Sequence, residues 1–408
     1  MKKILLFIIA VTGLISLVSC QGDSELEKGL LISKYYNSSA SSANYGNNVL
    51  ELYNDSNKSI QLSNYSIKIY KPSETIESRK ITLSGSLSSK GFFVIANTLA
   101  TEADIVSKAD LLTEDLVYRG SDTIALYYNN TIIDVLGSIG FDIQYGKNVS
   151  LLRRTDALEA KDNFDKLDYI SYLPNQYSYL KGFNYEIKTL DDMLIGPMLE
   201  DRYKALPYED PNKIGFGAGG VTKVVSLSSI ADGDTATFNT ESYSASTRYF
   251  YINTPEVQGN MNAEPWGYVA SKYNKTHLLN DAGSKEIYVQ SIKGNQLTET
   301  FGRHLGLVWI NGYLSNFLVV REGLSDVAVN ISSNDLEMSY KGITYVSFII
   351  FAKDYAQSKG WGVHGYPNDK NGEISPDWNF NNNSVKTTNP EWEPHIVVPW
   401  LRISLRSE

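Results

Sequence analysis

Three short motifs in the second half of the chain carry the residues best suited to chemistry. They are Asp232-Gly233-Asp234-Thr235, Arg248 followed by Thr254-Pro255-Glu256, and Phe301-Gly302-Arg303. Each alone has an ordinary explanation: Asp and Gly favour a turn, a Thr-Pro-Glu sequence is a usual helix start, and the third motif is nearly uninformative. Along the chain, Asp234 precedes Arg248 by 14 residues, and Arg248 precedes Glu256 by 8 residues.

Carboxylates and guanidinium groups are the residue types that cleavage of a phosphodiester requires. The reaction needs a cation on a phosphate oxygen, a water made nucleophilic in line with the leaving oxygen, and positive donors for the charge that builds up. A planar guanidinium matches two phosphate oxygens, whereas a lysine offers a point charge. The motifs therefore contain suitable groups, and the elements that carry them decide whether these groups meet.

Short strands with helices between them surround the motifs. Strands are predicted at Val224-Val225, Thr235 to Phe238, Thr247 to Ile252 and Leu305 to Ile310. Asn311-Gly312, after the last strand, is a strong signal for a tight turn. Residues at helical spacing predict a helix, and they are Trp266, Val269, Ala270, Tyr273 and His277. The pattern predicts a small β-barrel with inserted helices.

This part of the chain resembles the thermonuclease (micrococcal-nuclease-like) family, an OB-like barrel with helices, over residues 221–365. The separations between Asp234, Arg248 and Glu256 are those of the family's metal carboxylate, first arginine and catalytic glutamate. Gly323-Leu324 at the end of one predicted helix, and Trp361 after another at Phe351 to Ser358, add to the resemblance.

The resemblance implies a role for six residues. Asp234, the side chain of Asn253 and the backbone carbonyl of Thr254 would bind a hard cation, calcium in this family. Glu256 would orient or deprotonate the attacking water, and Arg248 and Arg303 would bind the phosphate. The implied partner is DNA or RNA as substrate.

Several residues depart from the family's pattern. The family's second metal aspartate is replaced by Asn253, which keeps an oxygen ligand and removes a charge, so calcium affinity should fall. The family's substrate-binding lysine and tyrosine appear as Thr300 and Phe301, and a later pair of tyrosines aligns with Val329 and Ile331. Recognition of a terminal phosphate is therefore not expected.

The first half of the chain predicts a β-sandwich. Alternating segments recur, and Asn129-Asn130 before Thr131-Ile132-Ile133 predicts a hairpin turn. Four ordered segments resemble the lamin-tail domain, an immunoglobulin-like sandwich, over residues 30–185: Leu50 to Asn54, Leu62 to Ile67, Phe93 to Ala96 and Ile133 to Gly137. That family has no established catalytic residues, so the resemblance implies binding or positioning, with an unknown ligand.

The N-terminus predicts an exported lipoprotein. Met1-Lys2-Lys3 precedes the apolar run Ile4 to Val18, which is short of the roughly 20 residues needed to span a bilayer. Leu17-Val18-Ser19-Cys20 resembles the bacterial lipobox, whose cysteine is lipidated after cleavage; the alternative is a cysteine that happens to end an ordinary signal peptide. Residues 1–19 would be the signal peptide and residues 20–29 a tether. The predicted location is the bacterial cell envelope, lipid-anchored and extracytoplasmic.

Composition and charge limit the remaining possibilities. The chain has 408 residues, 42% hydrophobic and 20% charged, which is typical of more than one globular domain. Cys20 is the only cysteine, so disulfides and cysteine-based zinc sites within the body are excluded. A formal charge of −9 argues against tight, static DNA binding, although an enzyme that holds one phosphodiester beside a cation needs less basic surface. The four histidines lack metal-ligand spacing, and none is assigned a role.

The sequence thus predicts a mainly β protein, in which the sandwich, a linker at residues 186–220, an α+β barrel domain and a C-terminal extension at residues 366–408 follow one another. The leading hypothesis is a surface-anchored, calcium-dependent endonuclease that cleaves extracellular DNA or RNA to 5′-hydroxyl and 3′-phosphate ends. The alternative is a noncatalytic surface binding lipoprotein with a degenerate nuclease barrel.

Overall fold

The computed structural model describes residues 29–38, 45–257, 264, 266–279, 285–327, 338–365, 367–368, 373–374 and 393–396. The predicted leader, Cys20, Val329, Ile331 and most of the C-terminal extension lie outside the described residues.

Among the described residues, the first half of the chain is built from short strands, one α-helix and short 3-10 turns. The strands are β1 (Leu30–Asn37), β2 (Val49–Asn54), β3 (Ile60–Gln61), β4 (Tyr65–Tyr70), β5 (Arg79–Thr82), β6 (Ser86–Leu87), β7 (Phe92–Asn97), β8 (Leu111–Thr113), β9 (Thr123–Tyr128), β10 (Thr131–Leu136), β11 (Val149–Arg153) and β12 (Tyr169–Tyr172). Helix α1 (Ala103–Lys108) lies between β7 and β8.

Two sheets face each other as a sandwich, which confirms the predicted fold of this half. One has six strands in the order β12-β11-β1-β2-β7-β8, and the other has four in the order β10-β9-β4-β5. Apolar side chains at alternate positions, such as Ile67 and Ile69 of β4, fill the space between them. The predicted hairpin joins β9 to β10, and Asn129 adopts a φ of 53°, which Asn tolerates in a tight turn.

The second half combines strands with helices. Two short helices, α2 (Leu190–Ile195) and α3 (Asp201–Lys204), come first. The elements that follow are β13 (Val221–Ile230), β14 (Thr235–Thr240), β15 (Ser244–Tyr249), β16 (Ile252–Asn253), α4 (Gly267–Leu279), β17 (Ile287–Gln290), β18 (His304–Ile310), β19 (Tyr313–Leu314), α5 (Ser315–Arg321), β20 (Asp326–Val327), β21 (Ser339–Tyr340), β22 (Ile343–Thr344), α6 (Tyr345–Lys359), β23 (Pro367–Asn368) and β24 (Glu373–Ile374). In the part of the chain that the structure describes, none of the helices combines the length and apolar character needed to cross a membrane.

Five strands of the second half close into a barrel, as the sequence predicts. They follow the order β15-β14-β13-β17-β18, and a parallel pairing of β15 with β18 joins the two ends. Asn311 and Gly312 both have positive φ, at 51° and 84°, and form the predicted tight turn between β18 and β19. Trp309 of β18 is fully buried against α6 through Tyr345. The barrel is thus a packed core that holds its strand ends in fixed positions.

The predicted linker, residues 186–220, is packed rather than exposed. Met193 and Tyr203 are buried in an apolar cluster that continues from the sandwich into the barrel. The segment bonds to both halves, since the Thr155 N–H donates to the Lys188 carbonyl at 2.8 Å and the Leu199 N–H donates to the Gly312 carbonyl at 2.9 Å. The boundaries of this segment stay predictions, but its residues pack and form hydrogen bonds with both halves of the chain.

The sandwich also contacts the barrel domain directly. The Leu173 N–H, just after β12, donates to the Gly342 carbonyl at 2.7 Å in the β21–β22 hairpin. Lys166 forms an ion pair with Asp354 of α6 at 2.6 Å. The interface therefore combines apolar packing with specific polar contacts.

Candidate functional site

The carboxylate of Asp234 is fully buried at the start of β14. The turn before it is held locally, because the Asp234 N–H donates to Asp232 Oδ1 at 3.1 Å. Its two side-chain oxygens have different partners: Oδ1 accepts from Thr235 Oγ1 at 3.1 Å, and Oδ2 accepts from the Thr254 N–H at 2.6 Å. The first motif is a turn, as its composition indicates. This turn places the Asp234 carboxylate against the end of β15, where Arg248 lies.

Arg248 lies at the end of β15, opposite Thr235 of β14 and beside Leu305 of β18. Its guanidinium forms an ion pair with Asp234 Oδ1 through Nη1 and a hydrogen bond with Asn253 Oδ1 through Nη2. One positively charged group therefore brings together the side-chain oxygens of the two residues that the sequence predicts as cation ligands. Burial lowers the pKa of Arg248, with Asp232 acting in the opposite direction.

Asn253 and Thr254 are placed by a short strand pair outside the barrel. Asn253 of β16 pairs with Asp326 of β20, and its N–H donates to Ser325 Oγ at 3.0 Å. Tyr251, with a φ of 70°, reverses the chain between β15 and β16, an uncommon conformation for a bulky residue. No helix begins within residues 254–257, so the helix-start explanation of the Thr-Pro-Glu motif is not what the chain adopts.

Glu256 follows this turn with an exposed side chain. Its N–H donates to Glu264 Oε2 at 2.9 Å, and its carbonyl accepts from the Glu264 N–H at 2.9 Å. Partial desolvation raises the pKa of the Glu256 carboxyl, and the charges of Asp232 and Glu264 raise it further. Arg248 and Arg303 oppose this effect, so both guanidinium groups lie within electrostatic range of Glu256.

Arg303 comes from a different turn, immediately before β18. The turn is closed by the Glu299 N–H, which donates to the Arg303 carbonyl at 3.0 Å, and Gly302 in it has a φ of 78°. Glu299 forms an ion pair with the Arg303 guanidinium, and this hydrogen bond raises the pKa of Arg303. Arg303 does not contact Asp234, but it lies near Asp232, Arg248 and Glu256 electrostatically. Phe301, beside it, is 85% exposed.

The oxygen atoms of these residues suit a hard cation, although few of the ligands would be charged. Asp234 and Asn253 both present oxygens to the same positive group, and hard cations such as Ca²⁺ prefer carboxylate, amide and backbone carbonyl oxygens. Thr254 Oγ1 is buried without a hydrogen-bond partner among the described residues. No cluster of three or more His, Cys, Asp or Glu side chains suited to a metal occurs among those residues. A cation here would thus rely on one carboxylate, one amide and backbone oxygen.

Two further groups support the site and were not assigned by the sequence. Asp232 fixes the turn before Asp234, and burial raises its pKa although Arg248 acts against this. The sequence feature that could have identified Asp232 as part of the site is its position in the first motif. Ser325 holds the Asn253 backbone from 72 residues away, and no local pattern identifies such a contact.

Two family models match separate parts of the chain. Residues 24–140 match the family model of the Lamin Tail Domain, and residues 246–343 match that of the Staphylococcal nuclease homologue. The second match contains Arg248, Asn253, Thr254, Glu256 and Arg303, whereas Asp234 precedes it and joins the site through its contacts.

Two curated relatives align with part of the chain. A thermonuclease of Staphylococcus intermedius is 31% identical over 97 residues, which cover 24% of this chain and 54% of that protein. The SPbeta prophage-derived endonuclease YokF of Bacillus subtilis (strain 168) is 29% identical over 152 residues, covering 36% of this chain and 46% of that protein. The chain spans about half the length of these relatives.

Each matched segment falls in a different half of the fold. The matched N-terminal segment lies in the sandwich, and the matched C-terminal segment includes β18 and the strand ends that hold Arg248 and Arg303. The sandwich is therefore similar to lamin tail domains, and the barrel domain is similar to staphylococcal nuclease homologues.

Proposed function

We propose that the second domain is a nuclease that hydrolyses phosphodiester bonds of DNA or RNA with the help of calcium. The observation that carries this proposal is the convergence of Asp234 and Asn253 on one positive group, with Glu256 and Arg303 in the same electrostatic neighbourhood. The two nuclease relatives support it. A carboxylate and an amide that bind one guanidinium, with a second guanidinium and a second carboxylate nearby, are groups suited to phosphodiester hydrolysis.

Each residue has a distinct task in the proposed reaction. Asp234, Asn253 and the Thr254 carbonyl hold the cation, which supplies positive charge to a phosphate oxygen when it is bound. Glu256 accepts a proton from the attacking water or orients it, and its exposed position leaves room for that water. Arg303 and Arg248 donate to the phosphate oxygens as negative charge builds up on them.

Arg248 must exchange partners for this role. In the structure its Nη1 and Nη2 donors are bound by Asp234 and Asn253. Once Asp234 and Asn253 direct their side-chain oxygens to a bound cation, the Arg248 guanidinium would be available to donate to the phosphate. Substrate and cation are therefore expected to bind cooperatively, because both compete with the same internal ion pair.

The proposal extends to the location and products of the reaction. By resemblance to its family, cleavage would leave 5′-hydroxyl and 3′-phosphate ends. Lipidation of Cys20 would anchor the protein on the bacterial envelope, where extracellular DNA or RNA is the available substrate. The lamin tail domain would position the nuclease through a ligand of its own.

A plasmid-nicking assay tests the nuclease proposal. The purified protein is incubated with supercoiled plasmid at millimolar calcium, with and without a chelator, beside Glu256→Gln. The control is Glu241→Gln, the same change at an exposed position in the turn after β14. Cleavage should need calcium and fall at least about a hundredfold in Glu256→Gln, because the water loses its base or orienting group. Equal cleavage by all three proteins would refute the role of Glu256.

Asn253 supports a second candidate function. An amide replaces the charge that the family uses, and it bonds to Arg248 in the structure. A noncatalytic protein that binds nucleic acid through this barrel would retain such a contact without needing calcium. Binding of oligonucleotides without cleavage at any calcium concentration would favour this alternative.

A further inference from the structure

An open cleft of about 440 Å³ lies directly beside the proposed cation site. Asn253, a proposed cation ligand, forms part of its wall, and so does Asp326, its partner in the β16–β20 pair. Helix α6 and the turn after it form another part of the lining, the α6 wall, and contribute Lys353, Gln357 and His364. The volume falls within the range of about 300–1,000 Å³ that is usual for small-molecule sites.

The polar groups that the α6 wall contributes to the cleft are not bound by other described residues. Lys353 and Gln357 are four residues apart on α6, so their side chains share one face of the helix. Neither side chain forms an ion pair or a hydrogen bond with another described residue. His364 Nε2 is buried and likewise has no hydrogen-bond partner in that part of the chain. Buried polar atoms are normally satisfied, so this nitrogen is suited to bind a group other than the described residues.

The wall is rigid enough to act as a preformed surface. Phe348 and Ala352 of α6 are fully buried, and the helix begins at Thr344, whose side chain accepts from the Ser347 N–H at 3.0 Å. It ends at Gly360 in a left-handed conformation. Gly362 packs so closely against Gly323 that a Cβ atom at position 362 would lie 2.1 Å from the Gly323 carbonyl oxygen. This contact fixes the turn that carries His364.

The charges around the cleft are mixed. Lys353 carries a positive charge, and Asp326 and Glu264, which also line the cleft, carry negative charges. Both carboxylates are partly used by backbone donors: Asp326 Oδ1 accepts from the Val327 N–H at 2.7 Å, and Glu264 Oε2 accepts from the Glu256 N–H at 2.9 Å. Burial lowers the pKa of His364, and Lys353 adds to this while Asp326 opposes it. With the His364 imidazole neutral, Lys353 is the positively charged side chain among the described residues that line the cleft.

We propose that this cleft binds the nucleotide next to the scissile phosphate, with Lys353 on the neighbouring phosphate and Gln357 and His364 on the edge of the base. The inference rests on the proposed function, because a polymer held at the cation site must continue past Asn253 into adjacent space. An ammonium recognises a phosphate, while an amide and an imidazole offer the donors and acceptors that base edges match. The pocket therefore sets the preferred base beside the cut.

The test uses short single-stranded oligonucleotides with one defined cleavable site and all four bases varied on each side of it. Lys353→Ala should raise KM about tenfold with little change in kcat, since a binding contact is lost that is equal in the ground and transition states. Gln357→Ala should alter the base preference on one side of the cut. Lys359→Ala is the matched control, because it removes the same charge from the same helix at an exposed position outside the cleft.

A binding measurement separates this inference from the proposed function. Fluorescence anisotropy with Glu256→Gln follows oligonucleotide binding without cleavage, alone and combined with Lys353→Ala or Lys359→Ala. If the starting protein does not cut but binding weakens with Lys353→Ala alone, the nuclease proposal fails and the cleft assignment stands. If the protein cuts and Lys353→Ala changes neither KM nor binding, the cleft assignment fails and the nuclease proposal stands. Absence of both cutting and binding overturns both.

Discussion

Replacing Asn253 by Asp tests whether the charge of the proposed cation site limits calcium binding. Asn253 is exposed, so its electrostatic interactions are near the scale for water, about 1 kcal/mol for two unit charges 4 Å apart. A divalent cation would gain about twice that from a new carboxylate. Part of this gain is lost, because the same carboxylate would bind Arg248 more tightly before the cation arrives, at a cost of about 1 kcal/mol.

The net gain of about 1 kcal/mol corresponds to a roughly fivefold lower calcium concentration at half saturation. Isothermal titration calorimetry gives the affinity directly, and the calcium dependence of plasmid nicking gives it through activity. Asn64→Asp, at an exposed position in the sandwich, is the control for a general change in net charge. A calcium requirement that is unchanged or higher in Asn253→Asp, with Asn64→Asp also unchanged, would refute the assignment of Asn253 as a ligand.

Three other predictions follow from named contacts. Glu256 acts as a carboxylate and its pKa is raised, so as the pH falls cleavage should be lost at a higher pH than with an ordinary glutamate. Glu264→Gln keeps an acceptor for the Glu256 N–H and removes one cause of the raised pKa, so it should move the acid limb of the kcat/KM profile to lower pH. An acid limb that does not move would contradict the electrostatic coupling of Glu264 to Glu256. Asp134→Ala should lower the free energy of unfolding by about 3 kcal/mol in urea titrations, because the buried Arg153 loses its nearer carboxylate at 2.6 Å and keeps only Asp168 at 3.6 Å; a loss below about 1 kcal/mol would contradict this. Cys20→Ser should leave the membrane fraction or stay unprocessed, and equal labelling of that variant by a radioactive fatty acid would exclude lipidation at Cys20.

Local features of the fold could be predicted from sequence because their causes are local. Asn129 and Asn311-Gly312 specify tight turns through the backbone conformations they tolerate, and both turns are present. Helix α6 could be placed approximately from Phe351 to Ser358, although it begins earlier, at Tyr345, where Thr344 caps it.

Burial on the second face of a strand could not be predicted in this way. The alternation in β4 suggests that Ser66 and Tyr70 face solvent, but both are buried. Tyr70 packs in a small cluster on the outer side of the sheet and shares a hydrogen bond with the Tyr127 hydroxyl at 2.8 Å. Alternation identifies the two faces of a strand and leaves open whether other segments cover the second one.

The candidate site shows the same division between local and distant causes. The spacing of Asp234, Arg248 and Glu256 marks them through a family resemblance, and the structure brings the first two into contact. Their supports are distant: Thr254 reaches Asp234 across 20 residues, and Ser325 reaches Asn253 across 72. Such contacts arise only when the barrel closes.

The contact between the sandwich and the β21–β22 hairpin has a consequence for self-association. Strand β12 is the outermost strand of the six-stranded sheet, and the backbone just beyond it is bonded to Gly342. An uncovered sheet edge is a template on which a second copy can add a strand, which leads to aggregation. The barrel domain therefore shields one edge of the sandwich, and a chain cut after residue 185 would present β12, with Tyr169 and Tyr172, to neighbouring molecules.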